Sequence, residues 1–352
     1  MAKKYSSQKV SCCSTDVSNS VMDNGVTTVS STLSLWDIAG AWKARWGIGR
    51  MEYKINPGLY AVGAPSDKAP VLVSANYKLT FDILRKNLKG LGCWLLILDT
   101  KGVNVWCAAG KGTFGTDELV NRVEAVGLHK YVAHKNLILP QLGAPGINAH
   151  EVARRTGFLV TYGPVRADDI QAFISSGNKA TKEMRRVRFT FKDRLVLTPM
   201  EIVPVMKKTL PILGAVLITN QFAKRPFDKH DLAAYAGAVL TGSVLTPLLL
   251  PYIPGRAFAW KGWLLGLLGT VGYMAKFKRF APGNRVMASG QMLLFPALSS
   301  FIAMNFTGAS TYTSPSGVKK EMCKALPLIL AAGTIGATLM LCSHLFGKGK
   351  TR

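Results

Sequence analysis

The run KGVNVWCAAGKGTFGT (101–116) sets a single thiol, Cys107, among small residues, with Gly102, Gly110, Gly112 and Gly115 around it. A cysteine sulfur is a nucleophile and a ligand for soft metals. Glycines let a backbone approach a large flat ligand closely. Lys111 lies one helical turn beyond the cysteine. Two simpler sites fail on spacing. A phosphate loop needs a Gly five residues ahead of its final Gly and a Ser or Thr directly after Lys; Val105 and Gly112 hold those places. A Cys–His nucleophile could draw on His129, His134 or His150, but nothing in their spacing indicates it. No CxxC pair offers zinc spacing, and no CxxCxxC run offers an iron–sulfur site. On residue chemistry alone, a buried structural cysteine and a functional thiol are both open. Neither periodicity nor spacing names a cofactor.

The elements around this run must hold it. The pattern predicts strands at 58–63 and 70–75, a helix over 77–90, and a continuous apolar strand at 93–100 of the kind buried in parallel sheets. A helix is expected over 116–128, with Thr116 as its cap. Further strands are expected at 136–140, 158–163 and 187–191, and helices at 150–157 and 167–177. Alternating strands and helices imply a Rossmann-like, mostly parallel α/β sheet. Ligands of such sheets bind at the carboxyl ends of the strands. The loops 100–115, 140–148 and 163–167 therefore frame the expected site.

The rest of the chain differs in kind. Apolar runs near 232–253, 257–275, 286–305 and 326–346 are each long enough to cross a bilayer. A shorter run at 209–222 leaves four or five spans open. Residues 205–352 hold 17 Lys or Arg and three acids, a balance expected of basic loops at lipid headgroups. That excludes nucleic acid as the partner, since a nucleic-acid footprint clusters its cations on one soluble face. The expected domains are a flexible Ser/Thr-rich tail at 1–34, an α/β domain at 35–200 and a transmembrane helical domain at 201–352 with a basic C-terminal tail. Six scattered cysteines do not form a disulfide framework, and a reducing compartment fits them. The vicinal pair Cys12–Cys13 either has no role or contacts a soft metal.

The run NVWCAAGK (104–111) resembles the signature of the mercury-methylating corrinoid proteins, the HgcA family. Flanking stretches resemble that family too: SANYKLTFDILR (74–85), LILPQLGAPG (137–146), YGPVRADDI (162–170), DRLVLTPMEIVP (193–204) and MNFTGASTYTSPSGVKKEM (304–322). The resemblance covers roughly 55–346. It implies a cobalamin-type corrinoid bound base-off, with Cys107 as lower axial cobalt ligand on a short helix shaped by Asn104, Val105, Trp106, Ala108, Ala109, Gly110 and Lys111. Loop position adds Thr113, Gly115, Thr116, Gln141, Gly143, Ala144, Tyr162, Gly163 and Pro164 as contacts of the corrinoid's detached tail. The implied activity is methyl transfer from cobalt to mercury(II). The implied partners are a ferredoxin-like reductant with two [4Fe–4S] clusters, a methyltetrahydrofolate donor or a methyltransferase carrying it, and membrane lipid. The implied location is the cytoplasmic membrane, multi-pass, with the corrinoid domain in the cytoplasm of an anaerobe. Two alternatives accompany this expectation: a membrane-anchored corrinoid methyl carrier with another acceptor, and a transporter with a ligand-binding α/β domain.

Overall fold

The computed structural model describes residues 21–22, 25–281, 284–310 and 314–347. The Cys12–Cys13 pair and the basic tail from 348 lie outside the described residues. The chain divides into two units. The first comprises residues up to Ala44 together with Ile48–Val187, and the second holds Arg45–Gly47 and everything from Arg188.

The first unit is a six-stranded sheet in the order β1-β2-β4-β3-β5-β6. Its strands are β1 (Thr27–Val29), β2 (Gly58–Val62), β3 (Val71–Ala75), β4 (Cys93–Leu98), β5 (Asn136–Leu139) and β6 (Leu159–Tyr162). Strands β4, β3, β5 and β6 run parallel, while β2 pairs antiparallel with β4 and parallel with β1. The mostly parallel α/β sheet is thus present. All six residues of β4 and all five of β3 are buried, as central strands covered on both faces require. Helices α3 (Val105–Lys111), α4 (Thr116–Val126) and α5 (Ala149–Thr156) cover one face, where Leu96, Leu98, Ala108, Phe114, Leu119 and Val152 share a core. Helices α2 (Lys78–Lys86) and α6 (Ile170–Ser175) cover the other, around Phe81, Leu88, Leu95, Ile97 and Phe173.

Three expectations are corrected. Residues 27–29, expected in a flexible tail, are the edge strand β1. The 187–191 strand is absent: Thr190 instead caps a helix, its hydroxyl accepting from the Asp193 amide while the Asp193 carboxylate accepts from the Thr190 amide. That reciprocal capping box outweighs the β-branched composition of the stretch. Thr116 is the first helical residue and not the cap, which is Gly115; the Thr116 hydroxyl accepts from the Asn148 amide at 2.9 Å.

The start of the first unit is pinned by a buried charge cluster. Helix α1 (Leu35–Arg45) supplies Asp37, which pairs with Lys78 at 2.6 Å and Arg85 at 2.7 Å; Asp82 pairs with the same two cations at 2.7 and 2.8 Å. Arg85 also donates to the carbonyls of Ser30 and Thr32. Burial alone would raise the Asp37 carboxyl, but hydrogen bonds from Lys78, Ser34 and Arg85 outweigh it and hold the group well below the usual carboxylate range.

The second unit is helical: α7 (Phe191–Asn220), α8 (Lys229–Leu240), a π-helical turn at Thr241–Leu245, α9 (Thr246–Leu249), α10 (Phe258–Lys276), α11 (Arg285–Asn305) and α12 (Pro315–Phe346). Close approach of α10, α11 and α12 depends on small residues. A Cβ at Gly262 would stand 2.5 Å from the Ala303 methyl, and one at Gly336 would stand 2.8 Å from the Gly290 carbonyl. A buried polar network lies inside this unit: Arg279 binds Asp228 and Asp231, and Gln291 donates to Asp231 at 2.6 Å. Among the described residues, Phe191–Asn220, Lys229–Leu249, Arg285–Gly308 and Ser316–Phe346 are long and apolar enough to cross a membrane, by length and composition. The set differs from the expected one. The run at 209–222 is the end of α7, and the 257–275 run forms α10 but is not among these four.

Candidate functional site

Strands β3 and β5 are neighbours, yet the chain leaves β3 toward β4 on one side and β5 toward β6 on the other. A crevice opens where connections diverge in this way, beyond the carboxyl ends of the two strands. A cavity of about 300 Å³ lies there. Its walls include Ser74 of β3, Thr80 and Leu84 of α2, Asn104–Trp106, Ile138–Pro140, and Gly163–Ala167 after β6.

Helix α3 forms one wall, and its seven residues are a helix for local reasons. Asn104 has extended backbone geometry, and its side-chain oxygen accepts from the Cys107 amide at 2.9 Å. Gly112 ends the helix at φ +78°, a left-handed conformation that glycine adopts without steric penalty. Val105, Ala108 and Ala109 fall on one face and are buried; Trp106, Cys107, Gly110 and Lys111 fall on the other and are exposed. Cys107 therefore presents its sulfur outward. Cys93, at the start of β4, is the opposite case: it is fully buried, and burial pushes its thiol up to about 12. Among the described residues, no three His, Cys, Asp or Glu side chains gather to hold a metal.

The loop at 141–146 packs beneath α3. A Cβ at Gly143 would stand 2.5 Å from the Phe114 ring, and one at Gly146 would stand 2.1 Å from the Phe114 carbonyl oxygen. Gly115 has the Gly112 carbonyl 2.7 Å from its missing Cβ. Gly115 and Gly143 are thus needed for protein packing. At Gly110, by contrast, nothing lies within 4 Å of the Cβ position.

Of the residues expected in the site, Asn104, Val105, Trp106, Gly163 and Pro164 line the cavity, and Cys107, Gly110 and Lys111 share the open face of α3. Ala108 and Ala109 face the core. The others have protein partners or lie apart from the cavity lining. The Thr113 amide donates to the Ala108 carbonyl, Thr116 binds Asn148, and Gln141 accepts from Arg185. The Tyr162 hydroxyl donates to the Ile147 carbonyl at 3.0 Å, and Ala144 is half-buried in the 141–146 turn. Sequence reasoning missed Ser74, Thr80 and Leu142. The signal for Ser74 was its place at the end of a switch-point strand.

Residues 49–174 match a family model described as CO dehydrogenase/acetyl-CoA synthase delta subunit. The chain is 29% identical over 127 residues to the acetyl-CoA decarbonylase/synthase complex subunit gamma of Methanopyrus kandleri, a match covering 36% of this chain and 27% of that one. It is 27% identical over 139 residues to the Methanocaldococcus jannaschii subunit gamma, covering 39% and 28%. With subunit gamma 2 of Methanosarcina thermophila it shares 35% identity over 99 residues, covering 27% and 21%. The chain thus spans about a quarter of the length of these relatives.

These matches correct the resemblance drawn from the NVWCAAGK run. The family described is one of CO dehydrogenase/acetyl-CoA synthase and not of mercury methylation. Mercury methyltransferase activity, mercury(II) as substrate, the two-cluster ferredoxin-like reductant, the methyltetrahydrofolate donor and membrane lipid as partner fall with it. The partners that the relatives' names print are the subunits of a complex. The multi-pass placement in the cytoplasmic membrane and the transporter alternative fall as well. Relatives named as complex subunits do not support them, and helix length and composition do not establish insertion.

Proposed function

We propose that the first unit binds a cobalamin-type corrinoid at the carboxyl edge of its sheet and works as a methyl-carrying subunit of an acetyl-CoA decarbonylase/synthase-type assembly. Cys107 would hold the cobalt of that group through its exposed sulfur. One observation carries this reading: an exposed thiol stands on a short helix, capped at both ends, that also walls the switch-point cavity. The residues present fit the group. A cavity of about 300 Å³ has room for the detached base of a corrinoid but not for its macrocycle. The open face at Cys107 and Gly110 lies on a helix that leaves space for a flat ligand.

When bound, the corrinoid supplies a cobalt that takes up and releases a methyl group. The chain's residues do the rest. Cys107 offers a soft, strongly donating sulfur to the metal. Asn104 fixes the first turn of α3 and so the direction of that sulfur. Ala108 and Ala109 seat α3 on the sheet, and Trp106 shields one side of the cavity. Gly163 and Pro164 close its far wall, while Ser74 and Thr80 bring hydroxyls for a polar tail.

Titration of the full chain with hydroxocobalamin, wild type beside Cys107→Ala, tests the assignment. The expected result is a thiolate-ligated cobalt spectrum in wild type alone, with unchanged circular dichroism, because Cys107 contributes nothing to the core. Identical spectra, or no binding by wild type, would remove the assignment.

A further inference from the structure

The turn that delivers α3 is held in an uncommon shape. Lys101 has φ +58° and Gly102 has φ +73°. A left-handed lysine is rarely populated and persists only when its surroundings over-determine it. Two side chains hold it: Asp99, which accepts from the Lys101 amide, and Asn76, at a neighbouring strand end and 2% exposed, which binds the residues on either side of Lys101. The Asn76 Oδ1 accepts from the Thr100 amide at 3.1 Å and the Gly102 amide at 3.0 Å. The Thr100 hydroxyl, 2.9 Å from that oxygen and 2.6 Å from the Val103 carbonyl, donates to one of them at a time. The Asn76 amide nitrogen donates to Asp99 Oδ1 at 3.2 Å. Asp99 is held as a carboxylate by Lys101, through the Lys101 ammonium and its backbone amide. A carboxylate only accepts, so it fixes which end of the Asn76 amide faces the turn.

We infer that Asn76 is a positioning residue for Cys107: by locking the left-handed Lys101–Gly102 turn, it sets where Asn104 begins α3 and hence where the sulfur stands. The inference rests on the corrinoid reading for its purpose but not for its geometry. Asn76 does not line the cavity, and its side-chain hydrogen bonds go to Asp99, Thr100 and Gly102 and not to Cys107. It acts through five residues of backbone, and those residues separate the end of β4 from the cap of α3.

Three variants of the full chain test it: Asn76→Ala, Asn76→Asp and the exchange pair Asn76→Asp with Asp99→Asn. The first loses every side-chain bond of Asn76. The second keeps the acceptor but sets two carboxylates face to face. The third restores one donor and one acceptor with the roles reversed. Two readouts apply. Amide hydrogen exchange at 105–108 needs no cofactor. It should quicken about tenfold in the single variants, as expected when one hydrogen-bond network is lost, while β3, β4 and β5 stay protected. Hydroxocobalamin affinity and its thiolate-ligated spectrum should weaken about tenfold or more, the usual cost of losing a group that orients a metal ligand. The exchange pair should recover most of both.

Unchanged exchange at 105–108 in Asn76→Ala would overturn the inference. So would loss of protection throughout the sheet, which would make Asn76 a general support of the fold. If wild type fails to bind hydroxocobalamin, the corrinoid reading fails, and the exchange data still decide whether Asn76 sets the turn.

Discussion

Phe114 shows how much of the site is decided by single atoms. Its ring is fully buried under the 141–146 loop, and Gly143 gives it room that no other residue could. Gly143→Ala would put a methyl 2.5 Å from a ring carbon that has nowhere to go. The expected cost is about 1–3 kcal/mol, the usual range for overpacking a full core. Urea denaturation of the variant should show it. Phe114→Leu added to Gly143→Ala should recover part of the loss, because neighbouring changes of complementary volume couple. A variant as stable as wild type would mean that the loop yields, and that α3 is less firmly seated than its packing indicates.

At the scale of elements, the buried cluster of Asp37, Lys78, Asp82 and Arg85 ties α1 and the segment after β1 to α2. Asp37→Asn would leave two buried cations facing one carboxylate. Breaking such a cluster costs about 3–5 kcal/mol, because a charge stays buried without its partner. The pH dependence has a definite sign. The Asp37 carboxyl is depressed in the folded state. Its contribution is therefore fully present above about pH 4, the ordinary carboxylate value, and is lost as pH falls toward the lower folded value. Stability measured from pH 7 down to pH 2 should fall more steeply in wild type than in Asp37→Asn. Parallel curves would show that Asp37 is not the group responsible. This cluster was invisible in the sequence, since its members lie up to 48 residues apart. The strands were legible, because Cys93–Leu98 and Val71–Ala75 are continuous apolar runs that only a covered central strand explains. The glycine-rich setting of Cys107 left a buried structural cysteine and a functional thiol both open, and the fold places that thiol on the exposed face of α3. The cavity was not, because Thr80 carries no local signal, and Ser74, though near the end of a strand, becomes a neighbour of Trp106 only through strand order. The stretch 187–191 misled for the opposite reason. Its β-branched residues favour a strand, while one capping box commits it to a helix.

On the scale of the whole molecule, the family match ends at residue 174, within α6 and short of the helical unit. Each unit has its own core, one built on the sheet and another around Phe295, Met287 and Met340. The cations are unevenly spread as well. The net charge is +25, and residues 205–352 supply 17 of the 44 Lys and Arg but only three of the 19 acids. A unit with its own core and its own charge pairs is expected to fold alone. Residues 1–187 should therefore unfold in one cooperative step and bind hydroxocobalamin within about twofold of the full chain, well inside the tenfold that 1.4 kcal/mol would cause. The full chain should show a second transition from the helical unit, since chains of several domains depart from two-state behaviour. A fragment that folds but does not bind would remove the assignment of the corrinoid site to the first unit. In that case the likeness to the gamma subunits, confined to the first unit, would describe a scaffold and not the whole machine.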